Sequence, residues 1–249
     1  MDNKSCKVCG VVIQPATEVK YDGCCVPCSK KKDKIKFKPS VKLTRWVKYF
    51  LYAQIVIGVI SIISGYFEYK LLNQLHLGLF ATSQHAVSAA TENDNRQLII
   101  GGIGALIHLV SGILILRWIY QANINSAALG AKNMKFTPGW AIGWFFVPIA
   151  AMWKPYQAMS EIWRSSCSPE KWESLKVSNI VNWWWFTWIT VGIISQVSSL
   201  IKFDSQNFDE LINASLLRNS TTVYLIPLAI ITFLLISRIH KFQNEKANK

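Results

Sequence analysis

Four cysteines carry the clearest chemistry in the chain. Cys6-Lys-Val-Cys9 and Cys25-Val-Pro-Cys28 are two Cys-x-x-Cys knuckles separated by fifteen residues. Paired knuckles at this spacing bring four thiolates to one tetrahedral zinc ion. Gly10 lets the backbone turn back after the first knuckle, and Gly23 loosens the approach to the second. A 28-residue segment cannot build a core, so Zn(2+) would supply its folding energy. No His lies in this head to mark an open, catalytic coordination sphere, so the expected zinc is structural. Cys24 stands beside Cys25, and which of the two is the ligand stays open.

Behind the head, residues 29–48 form a basic linker with nine Lys or Arg and one acid, Asp33. Four uncharged apolar runs follow, at 49–67, 98–116, 180–201 and 221–237. Each is long enough to cross ~30 Å of hydrocarbon as a helix. The first run starts 48 residues in, after a basic segment, so it is expected to act as an uncleaved anchor rather than a signal peptide. The fold class expected is all-α integral membrane, a four-span domain over 49–237 with a small zinc-ribbon-like module before it and a basic cytoplasmic tail, 238–249, behind it.

A fifth run, 136–153, also lacks charge but holds Pro138 and Pro148, which break a regular helix. Charge decides between the topologies. With four spans, twenty-three Lys and Arg lie on the cytoplasmic side and four outside; with five, the counts are seventeen and ten. Basic residues collect on the cytoplasmic side. The segment 136–153 is therefore expected to be a re-entrant or interfacial hairpin, followed by an interfacial helix over 155–165 with Pro155 in its first turn. Both termini are then cytoplasmic, in a multi-pass protein of the cell membrane. The net charge of +13 reads as topology rather than nucleic-acid binding.

Within the spans, small residues recur at helical spacing. Gln54, Gly58, Ser61 and Gly65 share one face; Gly101, Ala105, His108 and Gly112 share another; Trp188, Gly192, Ser195 and Ser199 a third. Such stripes predict packing seams. His108 and Gln54 are the intramembrane polar candidates, since polar groups in hydrocarbon are functional by default. No run contains an acid, and the chain has no His-Glu-x-x-His, no Gly-x-Ser-x-Gly and no Gly-rich phosphate loop, so no enzyme is expected.

All eleven Trp fall on the side expected to be cytoplasmic or in the cytoplasmic half of a run. The stretch FTPGWAIGWFFVPIAAMWKPYQAMSEIWRSS, followed by NWWWFTWITVGIIS, resembles the bacterial membrane family catalogued as domain of unknown function 4328. Residues carrying the resemblance include Trp140, Trp144, Pro148, Trp153, Lys154, Pro155, Tyr156, Glu161 and Trp163. It covers roughly 45–240 and implies an inner-membrane protein without implying an activity. Glu161 is expected to meet Arg117, at the cytoplasmic end of the second run, or solvent. Two function classes follow. One is a membrane-anchored scaffold or sensor using its zinc head and cytoplasmic face. The other is an oligomeric channel or permeation protein. The partners considered are the lipid bilayer, a second copy of the chain and a cytoplasmic protein.

Overall fold

The computed structural model describes residues 11–12, 36–201 and 207–248. Cys6, Cys9, Cys25 and Cys28, with Cys24, lie outside the described residues. The regular elements among the described residues are all helices: α1 (Val41–His76), α2 (Ser83–Ala128), α3 (Pro138–Gly143), α4 (Lys154–Cys167), α5 (Asn179–Leu200) and α6 (Phe208–Ala247).

Among the described residues three helices, α1, α2 and α6, are long and apolar enough to cross a membrane. Their 36, 46 and 40 residues run well past their apolar runs. At ~1.5 Å per residue they span about 54, 69 and 60 Å, against ~30 Å of hydrocarbon. Hydropathy marks only the part that lipid surrounds; the polar flanks continue the helix because they pack on one another. Residues 238–247, expected as a tail, are the end of α6, and Ile239 and Gln243 within them are buried. The helix α5 matches the third apolar run and contains no charged residue.

Segment 136–153 is not a continuous helix. Thr137 caps the six-residue α3, its hydroxyl accepting from the Trp140 N–H at 3.4 Å, and Pro138 occupies the first turn. A 3₁₀ turn at Trp144–Phe146, a bend through Pro148 and a second 3₁₀ turn at Ala150–Met152 lead into α4. The prolines break the run where their missing N–H groups require. The expected helix over 155–165 is present as Lys154–Cys167, with Pro155 in its first turn.

The four long helices form a row. α2 packs on α1, α1 on α6 and α6 on α5, while α2 and α5, at its two ends, make no extended contact. Packing explains part of the expected seams and corrects the rest. On α1, a Cβ at Gly58 would come within 3.1 Å of Ile226, and one at Gly65 would collide with the Asn219 side chain, so this stripe is the α1–α6 seam. On α2, a Cβ at Gly101 or Gly112 would meet nothing within 4 Å, and the same holds for Gly192 on α5. At these glycines the stripes of the two end helices leave space; His108, Gly112 and Trp188 border a cleft, and Ser195 and Ser199 a groove against α6.

Candidate functional site

Two assemblies bring polar groups together. The first sits at the ends of α2 and α6, where α4 and the segment before α1 meet them. Asn125 is fully buried and holds the backbone of Lys38 from both sides. Its Oδ1 accepts from the Lys38 N–H at 3.1 Å, and its Nδ2 donates to the Lys38 carbonyl at 3.0 Å. Gln243, 1% exposed, is the second node. Its amide nitrogen lies within bonding distance of the Ala122 carbonyl (2.9 Å), Ser166 Oγ (3.0 Å) and Ser126 Oγ (3.3 Å). Nearby, the Trp118 indole donates to Thr44 Oγ1 at 3.0 Å, and Thr44 and Ser40 both contact His240 Nδ1. Buried amides are held only when their donors and acceptors are satisfied, and such networks then fix one geometry.

Glu161 belongs to this assembly. It is 2% exposed, and its two oxygens accept from the backbone N–H groups of Lys135 (2.9 Å) and Phe136 (3.2 Å). Burial pushes its carboxyl above the usual range; the two amides and the charges of Arg164 and Lys135 oppose that rise. Arg117 is not its partner. That residue instead lines a surface groove with Lys38, Trp46 and Gln121. The carboxylate thus holds the bend that leads into α3. Lys154 extends over the rings of Trp144 (5.6 Å) and Phe136 (5.9 Å). Trp140 and Trp144 pack with ring centroids 4.6 Å apart and planes tilted by 32°. Tyr156 donates to Asn182 Oδ1 at 2.8 Å, joining α4 to α5, and Trp163 packs edge-on against Phe242 of α6. Pro155 is buried, and Trp153 is partly exposed just before α4.

The second assembly is a cleft of about 290 Å³ between the end helices of the row. Leu51 and Gln54 of α1 and Leu228 and Thr232 of α6 form its back. His108 and Gly112 come from α2, Trp184 and Trp188 from α5, and Phe145 and Phe146 from segment 136–153. Both intramembrane polar candidates therefore line one space. His108 Nδ1 lies 3.1 Å from the Gly104 carbonyl; because a carbonyl only accepts, Nδ1 carries the proton. No group among the described residues hydrogen-bonds the Gln54 amide.

Residues 81–241 match the family described as Domain of unknown function (DUF4328). The chain belongs to this family. The DUF4328 region begins in the turn before α2 and takes in α2 to α5 and most of α6, so α1 lies outside it, a narrower match than the 45–240 expected. The residues that carried the resemblance all lie inside it, in segment 136–153, α4 and the start of α5. Comparison with curated proteins and with solved structures finds no match.

Sequence reasoning missed the two buried amides, Asn125 and Gln243, because both lie beyond the apolar runs. It also missed Glu68, one residue past the first run. Glu68 is buried, accepts from Ser215 Oγ at 2.6 Å and pairs with Arg218 of α6. The opposite charges of Glu68 and Arg218, each just outside a run on the same side, were the available signal.

Proposed function

We propose that the protein is a non-catalytic, membrane-anchored sensor or scaffold whose cytoplasmic zinc head is mechanically tied to its helices. The observation that carries this reading is the clasp of Asn125 on Lys38. The head-bearing segment enters the bundle at residues 36–40, and Asn125 pins its backbone to α2 while Gln243 ties α2 to α4 and α6. A change of state in the head would therefore reach three helices through one short connection. In this reading Cys6, Cys9, Cys28 and either Cys25 or Cys24 hold zinc, α5 is a fourth span, and both termini are cytoplasmic in the cell membrane. The one-sided distribution of Lys and Arg supports that orientation. The mainly apolar lining of the cleft supports a binding role over the alternative of a permeation path.

The test is coupling. Zinc content and amide exchange across residues 36–44 are measured on the full-length protein before and after chelation. Zinc near one equivalent, and faster exchange at Lys38 after its removal, are expected. In Asn125→Ala, exchange at Lys38 should be fast whether or not zinc is present. Zinc below about a tenth of an equivalent ends the metal reading. Exchange at 36–44 that ignores chelation in the parent protein ends the coupling.

A further inference from the structure

We infer that the cleft between α2 and α5 is a binding site for a membrane-dissolved lipid-like molecule bearing a hydroxyl head group. The occupant is defined by what the cleft contains. His108 lies twelve residues from Arg96 and nine from Arg117 along α2, so it sits about 18 Å and 14 Å from the nearest charged levels. At that depth hydrocarbon, not water, surrounds the helix, and a polar group without a partner is costly. Two such groups face the cleft. In the tautomer that gives its Nδ1 proton to Gly104, His108 presents Nε2 as a bare acceptor. The Gln54 amide, with no partner among the described residues, presents both a donor and an acceptor. A hydroxyl complements this pair, since it donates to Nε2 and accepts from an amide N–H.

The remaining walls are apolar, as a hydrocarbon body requires. The space, about 290 Å³, is near the lower bound of small-molecule pockets and roughly twice the ~150 Å³ void that holds one benzene. It therefore takes a head group and the first part of a chain or ring system. The rest leaves past Phe146, whose side chain is 72% exposed in the lining of the cleft. The row order of the helices keeps this site open sideways, so a lipid enters from the bilayer rather than from water. The inference rests on the membrane placement of α2 and α6 and is independent of the zinc head.

The test uses the full-length protein in lipid nanodiscs with a long-chain alcohol carrying a photoreactive diazirine on its tail. Competitors are the unlabelled alcohol and its methyl ether, which cannot donate a hydrogen bond. Saturable labelling of peptides around Leu51–Gln54, His108–Gly112 and Trp184–Trp188 is expected. The alcohol should compete about tenfold better than the ether, and Gln54→Leu or His108→Leu should each weaken labelling by about the same factor. Gly112→Leu fills the cleft where a Cβ meets no atom within 4 Å, so it should abolish labelling while helicity and melting temperature are retained. Labelling that does not saturate, or that survives Gly112→Leu, overturns the site. Equal competition by alcohol and ether overturns the hydroxyl assignment. Cross-links between cleft residues of two copies would show that a second chain fills the space instead, and would also overturn it.

Discussion

Replacing Glu161 should loosen the entry to the hairpin, by an amount its geometry sets. The carboxylate is almost wholly buried and accepts from two backbone donors, the N–H groups of Lys135 and Phe136. Glu161→Ala leaves both without an acceptor. A buried donor without a partner costs about 1–3 kcal/mol. Two of them, reduced by relief from burying a carboxylate, give a net loss of about 2–4 kcal/mol. Glu161→Gln keeps one oxygen acceptor but turns an NH2 toward the other amide, so its loss should be near 1–2 kcal/mol. Every 1.4 kcal/mol of local protection corresponds to about a tenfold change in exchange rate. Amide exchange at Lys135 and Phe136 should therefore accelerate roughly tenfold in the Gln variant and a hundredfold in the Ala variant. Thermal unfolding in detergent should fall by roughly 5–10 °C in the Ala variant. Unchanged protection at both amides would refute the argument that this carboxylate holds the hairpin.

The same residue sets a pH dependence. Its carboxyl is held above the ordinary 4.5, so its favourable contribution is complete below that value and is lost as pH rises through the folded-state value. The melting temperature of the parent minus that of Glu161→Gln should fall from acid toward neutral pH; a rise would contradict the sign. In a cysteine-free background, a single Cys at position 85 should react with an impermeant thiol reagent added outside, and one at position 170 should not; the reverse pattern refutes the topology. Gln243→Ala removes the contacts to Ala122, Ser126 and Ser166 and should lower the melting temperature of the bundle by several degrees, with no loss of helicity.

How far the fold was legible follows from the physics of each signal. Apolar runs report the solvent a helix sits in, so the runs within α1, α2, α5 and α6 were visible while their true lengths were not. Pro138 and Pro148 act on backbone hydrogen bonds locally, and the broken segment they predict is present. Glu161 was named through the resemblance and expected to meet Arg117 or solvent, but its partners are main-chain amides, which no side-chain pattern announces. Asn125 and Gln243 are ordinary polar residues in segments that composition marks as loop and tail. Only their burial at the crossing of α2, α4 and α6 gives them weight. The α2 stripe of small residues looked like the α1 stripe; spacing alone does not reveal that a helix stands at the end of a row.

The row also sets an order of assembly. A chain is inserted from its N-terminus, so α1 and α2 meet as a pair as soon as both are made. α5 emerges next and meets α4 through Tyr156 and Asn182, but its long neighbour in the row is α6, which is made last. Until α6 arrives, α5 lacks its long neighbour, with Trp183, Trp184, Trp185 and Trp188 at its beginning. The arrival of α6 then completes three junctions together: the seam on α1, the face of α5, and the Gln243 contacts that lock α2 and α4. Assembly of the row is therefore late-closing, and α5 is the helix that waits longest for its long neighbour.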